Sequence, residues 1–223
     1  MLYRALSVAD RGLQKHVWWQ DWRGECVAIV ASGPSTKKVQ LELLQNRIHV
    51  LVIKTNIDLC PWAEVVYGCD EPWWRDRKGL PNYRGVKLAY DQKCSKYKGI
   101  NLIKIEVKKD ALLMDEPGTV GCGGNSGFQA FNLAAQFGAT GICLIGFDMT
   151  IGDKLHWYGR NKWAGANNPT EANYRKWRKT FENAAPTAKS FGIDVVTVAS
   201  RESALKCFPK IDTIEQVFQR WGL

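Results

Sequence analysis

The sequence predicts an α/β protein: a single Rossmann-like, doubly wound domain with a mainly parallel sheet, helices on both faces and an irregular, lid-like insertion. Three observations predict it. Short, almost unbroken apolar runs recur along the chain (CVAIV, HVLVI, GICLI), as strands covered on both faces require. Segments with helical spacing or capping signals alternate with them, the pattern of a parallel sheet with crossover helices. Polar residues stand just past the ends of the runs, at the edge where open α/β sheets bind ligands.

The opening unit runs from Cys26 to Asn56 and reads as strand, tight turn, helix, strand. Ser32-Gly33-Pro34-Ser35 turns the chain. Gly33 lets the backbone approach a ligand, and Ser35 caps an expected helix from Thr36 to Gln45. Such a helix start presents free N–H groups and a positive dipole end to an anion, a seat for phosphate. The same four residues also serve as an ordinary turn, since neither GxGxxG nor GxxxxGK[ST] is present. The second strand ends in Lys54-Thr55-Asn56, and a third, AEVVYGCD, ends at Asp70 and leads into EPWWRDR, a loop or short helix. VKLAYD and NLIKIEV read as two further strands. The stretch from Lys108 to Gly124 reads as loop, with Asp115-Glu116-Pro117-Gly118 a turn signal.

A glycine-rich turn, Gly121 to Gly127, then opens the helix FQAFNLAAQF. Asn125 or Ser126 suits its N-cap, and Gly124 and Gly127 free the backbone to wrap a bound group. GICLIGFD follows as a buried strand ending in Asp148. Residues 149–167 have no regular period, carry His156, Trp157, Tyr158 and Arg160, and form the lid-like insertion. Asn168, Pro169 and Glu171 are expected to start the next helix, with Tyr174, Trp177 and Phe181 as its core face and Pro186 bending or splitting it. IDVVTVA is a last strand, and Thr213 with Gln216 makes a capping box for IEQVFQRW.

Residues 1–24 read as an N-terminal extension packed on a domain over 25–223, with HVWWQDW lying on the sheet. At 45% hydrophobic and 24% charged residues, the composition is that of a globular protein with a sizeable core. No apolar run reaches the length of a membrane span and MLYRALSVADRG lacks a signal-peptide core, so the expectation is a cytoplasmic protein with no membrane partner. The seven cysteines include no CxxC, and several lie inside apolar strands, which favours buried free thiols over disulfides or zinc. A net charge of +9 favours anionic partners: nucleotides, phosphorylated metabolites or nucleic acid. The ten tryptophans suit core packing, or stacking on bases and sugars.

The segments SGPS, YGCDEPWW, GGNSGFQAFNLAAQFGA, CLIGFDM and HWYG together resemble, over nearly the whole chain, an uncharacterised family of tailed bacteriophages and prophages. That resemblance implies the cytoplasm of an infected or lysogenic bacterial cell. The chain is more distantly similar to Rossmann-like bacterial sialyltransferases that use a CMP-sugar donor, and to the hydroxymethylpterin pyrophosphokinase-like group. Ser32 to Ser35 resembles the sialyltransferases' GPS loop, Asn56 an asparagine after their second strand, and Asn125-Ser126-Gly127 a Thr-Ser-Gly turn. The resemblance implies that Ser32, Gly33, Pro34, Ser35 and Ser126 hold phosphate or nucleoside groups, that His156 is the catalytic base, and that Tyr158 lies near the leaving phosphate. Asp70 stands where the sialyltransferases have an asparagine, a difference that bears on donor specificity.

The expected activity is thus glycosyl transfer from a nucleotide-sugar, a substrate rather than a tightly bound cofactor. Asn56 and Asp70 would read the nucleoside, and His156 would take the proton of an acceptor hydroxyl. Tyr158, Arg160 or Lys162 would stabilise the departing phosphate in place of a metal, and Asp148 would orient His156 or a donor hydroxyl. DNA, a host glycan and a small metabolite all suit the acceptor role; the charge favours DNA, although no DNA-reading motif is present. Two other functions use the same residues. One is a non-catalytic binder that sequesters a nucleotide, such as a host defence signal. The other is phosphoryl or pyrophosphoryl transfer with Mg²⁺ held by Asp70 and Asp148. Structural readings compete at single residues: Asp148 as a turn cap, His156 as a loop residue, His16 and His49 as packing groups. The sequence leaves the oligomeric state open.

Overall fold

A computed structural model describes residues 16–198 and 203–223. Residues 1–15 of the expected N-terminal extension, and Ala199 at the end of the last expected strand, lie outside the described residues.

The elements follow in the order β1 (Cys26–Val30), β2 (His49–Ile53), β3 (Val65–Tyr67), α1 (Glu71–Asp76), β4 (Val86–Ala89), β5 (Ile100–Leu102), β6 (Lys104–Glu106), β7 (Thr119–Gly121), α2 (Ser126–Gln136), β8 (Gly141–Ile145), α3 (Glu171–Ser190), β9 (Asp194–Val198), β10 (Lys210–Ile211) and α4 (Ile214–Trp221). Eight strands form one parallel sheet in the order β10-β9-β8-β1-β2-β3-β4-β5, and β6 and β7 form a separate parallel pair. The chain lays β2 to β5 on one side of β1, then returns and lays β8 to β10 on the other. The direction of winding reverses between β1 and β8, and this is the switch point of a doubly wound sheet.

Right-handed crossovers put connections of opposite winding on opposite faces. The side chains sort accordingly. Val27, Ile29, Leu51 and Val65 point into a core closed by Phe128, Phe131 and Phe137 from the α2 side and Phe181 and Ala184 from α3. Ala28, Val30, Val52 and Val66 point the other way, against Leu41, Leu44, Trp73 and Trp74 and against Val217 and Phe218 of α4. Trp18 and Trp22 join the first core, with both indoles set edge-on to Phe137. All seven cysteines are free thiols, and burial pushes the thiol pKa of Cys60 and Cys94 up to about 12.

Several elements differ from the sequence expectation. The helix expected over Thr36 to Gln45 is instead two 3₁₀ turns, Pro34–Lys38 and Leu41–Leu44. Tertiary hydrogen bonds displace it: the Thr36 hydroxyl donates to Ala31 O at 2.7 Å and the Ser35 hydroxyl to Asp148, while Val39 takes an extended backbone. The run NLIKIEV divides at Ile103 into β5 and β6, which belong to different sheets. The stretch expected as loop holds β7, fixed by two buried amides of α2. Asn132 accepts from the N–H groups of Leu113 and Gly121, and Gln136 donates to Leu113, Glu116 and Thr119. Helix α3 is capped by Thr170 rather than Asn168, because Asn173 closes a reciprocal box with Thr170. Pro186 sits inside α3 without dividing it, and Phe181, Ala184 and Ala188 hold the helix on the core. At α4, Thr213 accepts from Gln216 N–H, but the Gln216 side chain accepts from Asp212 N–H, which leaves the box half closed.

Candidate ligand cavity at the switch point

A cavity of ≈ 640 Å³ opens over the carboxyl ends of the central strands. Each wall follows from the topology. Strand β1 delivers Ala31, Ser32 and Gly33; β2 delivers Ile53 and Lys54; β3 delivers Cys69 and Asp70; β8 delivers Gly146, Phe147 and Asp148. Helix α2 runs back against the strands, so its first turn, with Asn125, Ser126 and Gly127, meets the same edge. The irregular segment before α3 completes the rim with Leu155, His156 and Tyr158.

The floor is a set of hydrogen bonds across the switch point. Gly33 N–H donates to Gly146 O at 2.9 Å, and Ala31 N–H to Ile145 O at 2.8 Å. A Cβ on Gly33 would lie 2.4 Å from Gly146 O, so only glycine allows the two loops to approach this closely. Asp148 accepts from the Ser35 backbone N–H at 2.9 Å and from the Ser35 hydroxyl. The expected anion seat of the first turn is therefore filled by a resident carboxylate, and Ser35 is buried beneath it at 1% exposure. Neither Pro34 nor Ser35 lines the cavity.

Asn56 is also displaced from its expected role. It is fully buried, its amide donates to Ile53 O at 2.6 Å, and its carbonyl accepts from the Trp157 indole at 2.9 Å. It anchors the insertion instead of facing a ligand. Trp157 is held further by its N–H to Ser32 O at 2.9 Å and by the Lys37 ammonium 4.8 Å from its ring. Arg160 is exposed and does not line the cavity.

His156 and Tyr158 are brought together, stacked with ring centroids 5.1 Å apart. His156 Nδ1 lies 3.3 Å from Ser32 Oγ, whereas Asp148 faces Ser35, so the hydroxyl and not the carboxylate orients the ring. His156 Nε2 is buried with no hydrogen-bond partner. Burial and the nearby Lys54 charge push the imidazole pKa down to about 4, which keeps it neutral at physiological pH. The Tyr158 hydroxyl donates to Asn161 Oδ1 at 2.8 Å, and burial raises its pKa.

At the other wall Asn125 caps α2, its side chain accepting from Phe128 N–H at 2.8 Å. The amides of Ser126 and Gly127 precede the first intrahelical bonds, and both residues line the cavity. Gly124, at φ +69°, packs its backbone against the Trp177 indole, where a Cβ would lie 3.2 Å from the indole nitrogen. Trp177 was expected in the core; it leans on the core and also lines the cavity.

Lys54 has no role in the sequence-based site, yet among the described residues it is the one cationic side chain lining the cavity. Its ammonium is 2.7 Å from Asp70 Oδ2. A cation directly after a buried strand was the signal that marked it. The two carboxylates proposed for Mg²⁺ face different partners, Asp70 towards Lys54 and Asp148 towards Ser35. Among the described residues, no three His, Cys, Asp or Glu side chains gather in a metal-binding group.

The fold and the placement of the cavity define a doubly wound, Rossmann-like α/β protein whose candidate site lies at the sheet's switch point. No protein-family model matches the chain, and no curated protein matches its sequence. Among solved structures, the sialyltransferase CST-II in complex with a trisaccharide acceptor and CMP is similar at a TM-score of 0.50 and 12% identity, over 84% of this chain and 86% of that chain. The sialyltransferase CstII from Campylobacter jejuni, in complex with the substrate analogue CMP-3FNeuAc, gives a TM-score of 0.49 and 12% identity over the same shares. At this identity the likeness is one of fold. No helix among the described residues is long and apolar enough to cross a membrane.

Proposed function

We propose that the chain is a glycosyltransferase-like enzyme that takes a nucleotide-sugar in the switch-point cavity. The observation that carries this reading is the convergence, on one edge of the sheet, of hydroxyls (Ser32, Ser126), an imidazole and phenol pair (His156, Tyr158), a cation (Lys54) and a helix start, around a volume suited to such a ligand. The solved structure of similar fold holds CMP and a trisaccharide acceptor, which agrees with a nucleotide-sugar here.

In the proposed reaction an acceptor hydroxyl oxygen attacks the anomeric carbon of the donor sugar. The new C–O bond forms as the sugar–phosphate C–O bond breaks, and that electron pair leaves on the phosphate. His156 takes the hydroxyl proton, with Ser32 holding Nδ1 so that Nε2 is the accepting atom. Nε2 is covered in this state, so acceptor binding must move the insertion enough to uncover it. The resemblance to phage proteins would make phage DNA, a host glycan or a small metabolite the acceptor.

One observation favours a second reading. A neutral imidazole with a pKa of about 4 and a covered Nε2 is a weak base, and a protein that only holds a nucleotide needs none. Incubating the protein with CMP- and UDP-sugars separates the two. Transfer predicts slow donor consumption, lowered about 100-fold in His156→Gln with donor binding retained. Tight binding without consumption, unchanged in His156→Gln, rejects transfer and leaves the binder. Loss of consumption on adding EDTA would favour the Mg²⁺-dependent phosphoryl-transfer alternative.

A further inference from the structure

Among the described residues, five non-glycine residues adopt a left-handed backbone, and two of them, Lys54 at φ +52° and Met149 at φ +54°, line the cavity past strand ends. A side chain in that region carries a steric cost that glycine would avoid. Such conformations cluster at functional sites, and at Lys54 the side chain carried is the one cation that the described residues bring to the cavity.

That cation is held in a replaceable way. Asp70 contacts it at 2.7 Å, but the Asp70 side chain is 60% exposed and Lys54 only 23%. The pair is half in water, so another anion can compete for the ammonium. Asp70 occupies the N-cap position of α1 without making a side-chain cap bond, so the cap does not hold its carboxylate. The other candidate anion seat, the turn after β1, is already closed by Asp148. Among the described residues, this leaves Lys54, held only by an exchangeable carboxylate, and the first turn of α2 as the groups at the cavity that favour a ligand's negative charge. Helix α2 packs on β2, and Lys54 and the first turn of α2 both line the cavity.

We propose that Lys54 is the phosphate-binding residue of the cavity and that Asp70 occupies its ammonium until the ligand's phosphate displaces it. The inference rests on the reading of the cavity as a site for a phosphate-bearing ligand. No bond is made or broken; a Lys–carboxylate pair is exchanged for a Lys–phosphate pair. The freed Asp70 carboxylate, an acceptor only, then faces the hydroxyls of the same ligand. Such a site favours ligands that combine one phosphate with a hydroxylated group, because a second phosphate would meet the freed Asp70 at close range.

The test uses the full chain with inorganic phosphate and CMP as probes, titrated by calorimetry at fixed ionic strength. The exchange predicts that Asp70→Asn binds both probes about tenfold more tightly, ~1.4 kcal/mol, because no carboxylate has to be displaced. Lys54→Met loses phosphate binding, and Lys54→Arg recovers most of it, with an unchanged circular dichroism spectrum as the control for folding. Phosphate binding by Lys54→Met equal to that of the parent, no gain in Asp70→Asn, or no phosphate binding by the parent overturns the proposal. Its outcome is separate from that of the transferase reading: phosphate binding that depends on Lys54, without consumption of any nucleotide-sugar, upholds Lys54 and removes transfer.

Discussion

Individual side chains in this protein are set by what is packed around them more than by their type. His156 and His49 show this with opposite signs. Burial and the Lys54 charge hold His156 at about 4 against an ordinary 6.5. At His49 burial also lowers the pKa, but hydrogen bonds and charge from Glu64 and Glu25 outweigh it and the value is raised. The depressed His156 stabilises the fold fully above pH 6.5, and that contribution is lost as pH falls through 6.5 to about 4. The gap is worth at most about 3 kcal/mol before solvent screening is allowed for. His49 does the reverse: its contribution is present below its ordinary value and lost as pH rises through its raised one. Urea titrations across pH should therefore show His156→Gln losing less stability than the parent between pH 6.5 and 4. Equal acid sensitivity in the two proteins would contradict the assigned burial. At this scale the sequence was only partly legible. Ser32, Gly33, Asp70, Gly124, Asn125, Ser126, Gly127, Asp148, His156 and Tyr158 all reach the cavity. The pairing of Ser35 with Asp148, 113 residues apart, could not be read, because tertiary hydrogen bonds leave no periodic trace.

The elements that hold the site owe their places to buried polar contacts as well as apolar faces. Helix α2 illustrates both. Phe128, Phe131 and Ala135 lie on the sheet, as the helical spacing predicts, while Asn132 and Gln136 reach the strand and turns that precede the helix. Asn132→Ala would leave the buried N–H of Gly121 and the half-buried N–H of Leu113 without an acceptor. It should cost about 2–3 kcal/mol in denaturation by urea and speed amide exchange at Gly121. A loss under 0.5 kcal/mol would show that the amide is not what fixes β7. The central strands β1, β2, β8 and β9 were legible because both faces of a parallel sheet are covered and the apolar runs are nearly unbroken, whereas β6 as a separate strand and the short β7 and β10 were not. The short 3₁₀ turns after β1 were not, since Ser35 and Thr36 are occupied by partners outside the segment. The same local argument placed the α3 cap two residues early, at Asn168. Asn168 instead accepts from Asn161 N–H at 2.9 Å and closes the insertion on itself.

For the whole molecule, the reversal of winding between β1 and β8 does most to make a site. It gathers loop ends that are distant in sequence, from Ser32 to His156, over one edge of a rigid sheet. Among the described residues the formal charge of +9 is not concentrated there, since those lining the cavity include one lysine and two aspartates. Long-range attraction of anions is then a property of the surface, and recognition a property of the cavity. The most direct test of the central claim is hydrogen-exchange mass spectrometry of the full chain with and without CMP at saturating concentration. The account predicts slower exchange in three segments together, 31–36, 122–128 and 146–158, with the sheet's opposite edge around Gly24, Arg47 and Trp221 unchanged. Protection confined to that opposite edge, or none in the three segments at a concentration where calorimetry shows binding, would place the ligand elsewhere and contradict the account.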